Sequence, residues 1–456
     1  MKLFELRFFY SKHRRKIITT AIVVPIAVLL SIVFLPPVIS SISDVTERNR
    51  FLNMSRADML DDFEYLMYAL EENWPFFNLS VSANDVDVQV LAQNVRDILN
   101  DPSIEINGPH GFLDMLRENF IWPIDNLGHF RAIWQYEEYF DARNEYSASP
   151  LWFNSLFNQQ TVMFYETLRD AGGSQLTNPY GRQPQDADLP VLRTDILKEG
   201  HIAYLQINHM IHILWDSLVG VTGMRYYETM LHYFHQEIKG FDHLIIDLRG
   251  NSGGMSLHFD VFVAGPLLAE SIRLPSYIFF KDGYYSNRAV DALDLTGIVN
   301  LDVDRIPVEF DQPLPYLDTN IEFGRAFISE YMIWAGHYYA EWYISMSDEV
   351  VFDGKIWMLV DGLTASSAEA AAAIFKYTRT ATIVGDMTRG IMGTIYDPLR
   401  AVLSLPNTGI LFTFDVAYFT DIYGRPWQGY GITPNYFNRL GLDALGTVLA
   451  MIAENN

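Results

Sequence analysis

The sequence predicts an α/β fold, in which short buried strands alternate with helices. Residues 202–207 and 243–248 are apolar runs of strand length, and residues 226–238 between them carry apolar side chains at helical spacing. A third apolar run, 357–360, leads into a loop of small residues and then into an alanine-rich helix. Strands that alternate with helices in this way are typical of a layered α/β core.

Two loops that follow these strands carry candidate catalytic groups. Residues 250–254 form a glycine-rich loop after the second strand, and the loop after the third strand places Ser366 and Ser367 at the start of a helix. A serine at a helix N-terminus meets unpaired backbone N–H groups and the positive end of the helix dipole, which stabilise an oxyanion. The glycine loop can supply a second donor, so the two loops together predict a nucleophile site.

These loops resemble the S41 peptidase family, which includes the carboxy-terminal processing (tail-specific) proteases and the tricorn core protease. Residues 247–254 are similar to the oxyanion strand and loop of that family, residues 364–369 to its nucleophile turn, and residues 383–390 to the strand and loop that follow. The resemblance covers residues 55–135 and 195–440 in outline. It implies a ClpP/crotonase-like S41 protease core, preceded by a small helical subdomain.

The resemblance implies that Ser366 is the nucleophile, because Ser366 takes the family's serine position three residues before Glu369. Taken alone, Ser366 and Glu369 also fit a capping box, which would only satisfy helix N–H groups. The glycine loop and the block 388–390 favour the nucleophile, with Glu369 as a supporting residue. Ser367 is the alternative nucleophile, and its backbone N–H is the candidate oxyanion donor together with that of Gly253.

The general base departs from the commoner pattern of the family. Processing proteases place a lysine in a Gly-Lys-Gly turn, where this chain has Ile391, and Lys376 within the helix does not replace it. The tricorn-like branch uses a histidine from the end of the helical subdomain, so the resemblance implies His129 as the base. The serine and glutamate that orient the histidine in that branch are replaced here by Gly128 and, we expect, by Gln428.

Composition limits the classes of protein to consider. The chain has 456 residues, of which 49% are hydrophobic and 14% aromatic, enough for a large core. Its net charge is −24, which disfavours nucleic acid as a partner because phosphate binding needs clustered Lys and Arg. The absence of cysteine excludes disulfides, a thiol nucleophile and cysteinyl metal sites.

A transmembrane anchor is predicted near the start of the chain. Residues 17–35 carry no charge and are long enough to cross the hydrocarbon core as a helix. A basic cluster at 12–16 precedes them, so the positive-inside rule predicts a cytoplasmic N-terminus and an extracytoplasmic body at the cell membrane. A cleaved signal peptide is the alternative interpretation.

The predicted organisation has five parts, with no internal repeat. A cytoplasmic basic segment (1–16) and the anchor (17–35) precede the helical subdomain (50–130). A linker or insert follows at 131–192, where we expect no PDZ domain because the segment is short and has no carboxylate-binding loop. The catalytic core spans 193–445, and a large insertion at about 265–345 forms either a substrate wall or ordinary packing.

A histidine pair on the predicted helix 226–238 offers a competing chemistry. His232 and His235 are three residues apart and could ligate zinc, but the sequence has no His-Glu-x-x-His motif and no third ligand near them. We therefore interpret the pair as part of a solvated helix face.

These observations predict a membrane-anchored serine peptidase that hydrolyses peptides or unfolded protein segments. No metal and no organic cofactor are expected, and no oligomeric state is predicted. One alternative is a catalytically silent relative that binds peptides or envelope partners, motivated by Ile391, Gly128 and Gln428. Another is a structural module that presents the aromatic 265–345 segment to a membrane or a partner.

Overall fold

A computed structural model of the chain describes residues 45–77, 86–124, 127–133, 153–171, 191–210, 220–254, 256, 259–292, 299–301, 323–335, 351–392 and 399–454. These residues fall into two compact units, 1–54 and 55–456. The first unit contains helix α1 (Val45–Leu52). No helix in the described ranges is long and apolar enough to cross a membrane. The predicted basic segment and anchor, residues 1–35, lie outside those ranges.

The second unit contains the remaining helices and all strands of the described chain. The helices are α2 (Arg56–Asn73), α3 (Val88–Asn100), α4 (Gly108–Leu116), α5 (Phe153–Leu156), α6 (Gln159–Asp170), α7 (Gly220–Ile238), α8 (Tyr284–Ala292), α9 (Ser367–Tyr377) and α10 (Ala444–Glu454). The strands are β1 (Arg131–Ala132), β2 (Leu192–Lys198), β3 (Ile202–Ile207), β4 (His243–Asp247), β5 (Ile272–Phe280), β6 (Val299–Leu301), β7 (Arg325–Ile333), β8 (Lys355–Val360), β9 (Ala381–Gly385), β10 (Arg400–Ser404), β11 (Leu411–Asp415), β12 (Ala417–Asp421) and β13 (Tyr436–Phe437).

The centre of this unit is a six-stranded sheet with the order β13-β9-β8-β4-β3-β2, which confirms the predicted α/β core. Its strands are parallel except for β2, which pairs with β3 in antiparallel. Met358 packs in a core cluster that includes α9, whereas its neighbour Trp357 packs in a second cluster with α10. Because both faces of the sheet are covered, these strands are apolar at nearly every position.

A three-stranded antiparallel sheet, β1-β11-β10, connects the helices α2 to α4 to the rest of the unit. Asp62 of α2 is fully buried and accepts hydrogen bonds from Asn407 N–H at 2.8 Å and Thr408 N–H at 2.7 Å, in the turn between β10 and β11. Phe130 stacks on Phe412 of β11, with ring centroids 5.7 Å apart. These contacts fix β11 against the segment that carries His129.

The predicted insertion, 265–345, contributes most of a third sheet. β5, β7 and β6 come from this segment, and β12 from outside it completes the order β12-β5-β7-β6. All nine residues of β5 pair with β7 in antiparallel register, from Ile272 opposite Ile333 to Phe280 opposite Arg325. The described part of the insertion is therefore regular β-structure. The predicted linker, 131–192, is described at 131–133, 153–171 and 191–192, where it contributes β1, α5, α6 and the first residue of β2.

Candidate active site

Ser366 lies where the parallel sheet opens towards a helix. Strand β8 ends at Val360, a turn follows, and Ser366 is the N-cap residue of α9. Its φ of 54° lies in the left-handed region, which costs a non-glycine residue on the order of 1–3 kcal/mol. A strained strand-to-helix turn exposes the side chain at its apex, as in the nucleophile elbow of other hydrolases.

The glycine loop after β4 lies against this turn. β4 and β8 are parallel neighbours, so the loops that follow them leave the same edge of the sheet. A Cβ built on Gly253, whose φ is 101°, would lie 2.6 Å from the Cβ of Ser366. The Ser367 hydroxyl donates to the Gly254 carbonyl oxygen at 2.6 Å. The two loops therefore meet as the sequence predicts, and only glycine fits at position 253.

The two predicted oxyanion donors differ in their present partners. Ser367 is the first residue of α9, where a backbone N–H has no acceptor within the helix. Its nitrogen lies 3.1 Å from the Cβ position built on Gly253. The Gly253 N–H instead donates to Asn251 Oδ1 at 2.8 Å, and Asn251 is fully buried. In this conformation the Ser367 N–H is therefore the donor that remains at the site.

Glu369 connects the serine to the loop that follows β9. Its buried carboxylate accepts four hydrogen bonds, from Ser366 N–H at 3.0 Å, Thr388 Oγ1 at 2.5 Å, Gly390 N–H at 2.7 Å and Ile391 N–H at 2.9 Å. Burial raises the pKa of Glu369 to about 7, whereas the four donors favour its ionised form. Glu369 thus serves as more than a helix cap, because it fixes the serine turn and the second loop together.

His129 is paired with a carboxylate that the sequence analysis did not identify. Its Nδ1 lies 2.7 Å from Oδ2 of Asp415, and both residues are buried. Gln428 Nε2 donates to the same carboxylate oxygen at 2.9 Å. Arg400 Nε lies 3.5 Å from the other oxygen. Gln428 therefore supports the predicted base through Asp415.

The pairing of β11 explains why these residues meet. Arg131 of β1 lies opposite Thr413, so the same antiparallel register places His129 opposite Asp415. On the other side of β11, Arg400 of β10 lies opposite Asp415. The histidine, the carboxylate and the guanidinium thus form one row across the three-stranded sheet.

The surroundings of His129 favour its neutral form. Burial, followed by the positive charge of Arg400, lowers the pKa of His129 against the opposing effect of Asp415. For Asp415, burial acts in the opposite direction, but His129, Arg400 and Gln428 hold its pKa below the usual range. An ionised carboxylate accepts the Nδ1 proton, which leaves Nε2 of the neutral imidazole as a proton acceptor. This is the protonation state that a general base needs.

Packing explains the glycine before the histidine. Gly128 has a φ of 56°, and a Cβ at this position would lie 2.4 Å from Cδ2 of Phe76 and 2.6 Å from Nε1 of Trp74. Serine, which the tricorn-like branch has here, would collide with both rings. The aromatic packing therefore requires glycine, and Asp415 provides a partner for His129 instead.

Backbone strain occurs at both candidate catalytic residues. Of the non-glycine residues in the described ranges, three have a positive φ: His129 at 49°, Ser366 at 54° and Arg379 at 62°. Strain of this kind is retained where the surrounding structure imposes it, and it concentrates at functional sites. Two of the three strained positions are thus the two residues that the sequence predicts as base and nucleophile.

A chain of hydrogen bonds joins the serine region to the histidine region. Gln428, which binds Asp415, is followed by Gly429, whose N–H donates to the Gly390 carbonyl oxygen at 2.6 Å. Gly390 in turn donates to Glu369. The loop around 428 and the loop around 390 therefore form one layer beside both candidate groups.

The structure gives no support to a lysine base. Ile391 occupies the position of the family's lysine, and its backbone N–H binds Glu369. Lys376 donates from Nζ to the Thr433 carbonyl oxygen at 2.6 Å. Burial and the nearby Arg425 lower the pKa of Lys376, but its hydrogen bond directs it to the outer side of the 427–433 segment.

The histidine pair on α7 corrects one expectation. His232 is partly exposed, but His235 is only 2% exposed, so the prediction of a solvated face is wrong for His235. Leu231, Phe234 and Ile238 are buried on the same face of the helix, at spacings of three and four residues from His235. His235 thus belongs to the apolar side of α7. The described residues contain no cluster of His, Cys, Asp or Glu that could hold a metal ion.

Sequence reasoning missed Asp415, although a signal was present. Asp415 ends β11, a strand of five buried residues, and lies 286 positions after His129. A carboxylate in a buried apolar strand needs a partner, because an unpaired buried charge is costly. That pattern marks Asp415 as paired, but only the register of the sheet identifies its partner.

Comparison with known families decides the membership of the chain. Residues 201–437, more than half of the sequence, match the sequence model of peptidase family S41. The chain belongs to peptidase family S41. The S41 match includes Gly253, Ser366, Asp415 and Gln428, whereas His129 precedes it.

Solved structures agree with this assignment at the level of the fold. Mature CPAF complexed with lactacystin has 15% sequence identity and a TM-score of 0.51, over 88% of this chain and 97% of that chain. Mature CPAF has 14% identity and a TM-score of 0.51, over 88% of this chain and 95% of that chain. The S41 fold therefore extends beyond the matched residues to most of the chain.

Proposed function

We propose that this S41 family member is an active serine peptidase that hydrolyses peptide bonds in peptides or unfolded protein segments. The observation that carries the proposal is the buried pair of His129 and Asp415, because it supplies a neutral general base in a chain without the family's lysine. Ser366 provides the nucleophile, at a strained turn beside a glycine loop and a helix N-terminus.

The proposed reaction proceeds through an acyl-enzyme. Nε2 of His129 takes the proton of the Ser366 hydroxyl while Oγ attacks the scissile carbonyl carbon. The Ser367 N–H donates to the resulting oxyanion, and Gly253 can join it once its N–H leaves Asn251. The imidazolium then protonates the leaving amine, and a water molecule hydrolyses the ester through the same groups. The mechanism requires Nε2 of His129 to reach Oγ of Ser366, which stays a prediction.

Labelling and hydrolysis test this proposal. The wild-type protein should react with a fluorophosphonate at Ser366, located by mass spectrometry, and should cleave a denatured protein substrate. Ser366→Ala and His129→Ala should each abolish cleavage, and the double variant should be no worse, because the two groups act as a unit. Ser367→Ala keeps the backbone N–H and should retain most of the activity. Labelling of Ser367 in place of Ser366 would contradict the assignment.

The same measurements decide the catalytically silent alternative. Ile391, and the engagement of the Gly253 N–H by Asn251, are the observations that favour a silent relative. A protein that neither labels nor cleaves, yet binds peptides, would replace the peptidase proposal with that reading.

We also propose that residues 17–35 anchor the chain in the cell membrane, with residues 1–16 in the cytoplasm. The uncharged run and the preceding basic cluster support this topology. Protease added to intact cells or spheroplasts of an expressing host should degrade the body and spare the first residues. A fully protected body would contradict the topology, and a mature N-terminus near Ser40 would indicate a cleaved signal peptide.

A further inference from the structure

An apolar pocket lies between α9 and the face of the sheet β12-β5-β7-β6. It encloses about 320 Å³ of empty space, including its open mouth. The residues that these elements contribute are Ala370, Ala373, Leu274, Tyr331 and Phe419. The Tyr331 hydroxyl is fixed by a hydrogen bond of 2.5 Å to Oδ1 of the buried Asp260. A pocket lined by hydrocarbon and rings suits an apolar group of a ligand.

One side of the pocket begins at the candidate nucleophile. Ala370 N–H donates to the Ser366 carbonyl oxygen at 3.1 Å, so the pocket starts one helical turn from the serine. One turn of α-helix rises by roughly 5.4 Å. Met392, which also lines the pocket, directly follows Ile391, whose N–H is held by Glu369. The hydrogen bonds that position Ser366 therefore also position this wall.

The opposite side of the pocket begins at the candidate base. Trp427 lines the pocket and precedes Gln428, which binds the Asp415 that holds His129. Trp427 is 6% exposed, and its indole Nε1–H has no hydrogen-bond partner among the described residues. A buried donor without an acceptor is costly, so the site favours a ligand that carries one.

The inserted segment supplies the remaining wall. Leu274 of β5 lies opposite Tyr331 of β7, and both strands belong to the 265–345 insertion. Phe419 comes from β12, which pairs with β5. The insertion thus contributes a surface that faces the helix of the nucleophile.

From these contacts we propose that the pocket is the subsite for the substrate side chain next to the scissile bond. It takes an aliphatic side chain of the residue whose carbonyl Ser366 attacks, and Trp427 Nε1–H donates to a peptide carbonyl of the same substrate. This inference rests on the proposed peptidase function and names its substrate preference. The insertion is then a substrate wall.

The shape and chemistry of the pocket set the preference. Five of its seven lining residues are buried, so the pocket is narrow: Leu274, Ala370, Ala373, Met392 and Trp427. It fits alanine, valine or leucine better than a phenylalanine ring. A lysine or aspartate side chain would lose its hydration without gaining a charged partner among the lining residues.

Peptides that differ only at this residue test the preference. With wild-type protein, kcat/KM should be roughly 100-fold higher for leucine than for lysine or aspartate, and roughly tenfold higher than for phenylalanine. Phe419→Ala widens the pocket and should raise kcat/KM for the phenylalanine peptide roughly tenfold relative to the leucine peptide. Phe437→Ala, at an exposed position of β13 outside the pocket, is the matched control and should leave this ratio unchanged.

A second pair of variants guards against misfolding and tests the donor. Phe419→Leu is a smaller change and should shift the same ratio in the same direction, with thermal unfolding used to confirm the fold of each variant. Trp427→Phe keeps a ring but removes the N–H, so it should raise KM by roughly five- to tenfold for all peptides alike. Unchanged KM values would overturn the role of Trp427.

The failure of this inference is distinguishable from the failure of the proposed function. If Ser366 labels and peptides are cleaved, but the Phe419 variants keep the wild-type ratio, the pocket inference is overturned and the peptidase stands. If wild type neither labels nor cleaves, calorimetric binding of the same peptides to Ser366→Ala decides the pocket separately. An aliphatic preference that Phe419→Ala relaxes supports the pocket, and binding without a preference overturns it.

Discussion

The serine region and the histidine region of the site are built in opposite ways. The serine region comes from loops at the edge of a parallel sheet, and its central hydrogen bonds join Glu369 to residues within a short stretch of chain, 366–391. The histidine region spans an antiparallel sheet, where His129 meets Asp415, 286 positions later in the sequence. One region is a local motif, and the other depends on strand pairing.

This difference determines how each region tolerates change. In the serine region one carboxylate satisfies several backbone donors, so its loss should damage the fold of the turn as well as the chemistry. In the histidine region the carboxylate sets the tautomer and charge of one imidazole, so its loss should damage the chemistry more than the fold. Substitutions of the two carboxylates by their amides test this contrast directly.

Asp415→Asn should give the largest loss of activity. The amide keeps the shape of the carboxylate, but it can donate to Nδ1 of His129 and so move the imidazole proton to Nε2, where the base must accept. We expect kcat/KM to fall by roughly 10³- to 10⁴-fold, with peptide binding to the Ser366→Ala background unchanged. A loss below tenfold would show that Asp415 does not set the state of His129.

Glu369→Gln should give the largest loss of stability. One amide nitrogen would face backbone N–H donors that the carboxylate now accepts, so we expect the free energy of unfolding in urea at pH 8 to fall by roughly 3 kcal/mol. Glu64→Gln removes a surface partner of Arg96 and is the control, with an expected loss under about 1 kcal/mol. Equal losses in the two variants would contradict the central role of Glu369.

Arg400→Gln should shift the pH dependence by a moderate amount. Because burial and Arg400 lower the pKa of His129 below 6.5, wild-type kcat/KM should hold at pH 6.5 and fall only at lower pH, as His129 becomes protonated. Removal of the guanidinium raises this pKa, so the acidic limb should move to higher pH. An unshifted limb would mean that the row across the sheet is not electrostatically coupled.

The same histidine gives stability a predictable sign. The folded pKa of His129 lies below its unfolded value of 6.5, so the unfolded state binds the proton more readily between the two values. The contribution to stability is therefore present above pH 6.5 and is lost as the pH falls through the folded pKa. Asp415, with its lowered pKa, adds a loss at still lower pH.

Lys376→Ala should have the smallest effect. Its ammonium group donates to the Thr433 carbonyl oxygen and belongs to neither region of the site, so kcat/KM should stay within about twofold of wild type. Its stability should change by less than about 1 kcal/mol. A loss comparable to that of His129→Ala would restore the lysine alternative.

The sequence by itself determined the α/β core, the loops at Gly253 and Ser366, and His129 as the candidate base. These signals are local, since apolar runs, glycines and a helix start are read from neighbouring residues. The sequence also showed the loss of the family's lysine at Ile391.

Tertiary structure decided what a linear reading cannot show. Only the register of β1, β11 and β10 brings Asp415 beside His129, and only the rings of Trp74 and Phe76 explain Gly128. Likewise, the paired strands of the insertion place their face against α9 and form the pocket. The physical reason is that pairing between distant strands and packing between layers depend on contacts across hundreds of residues, which no local pattern encodes.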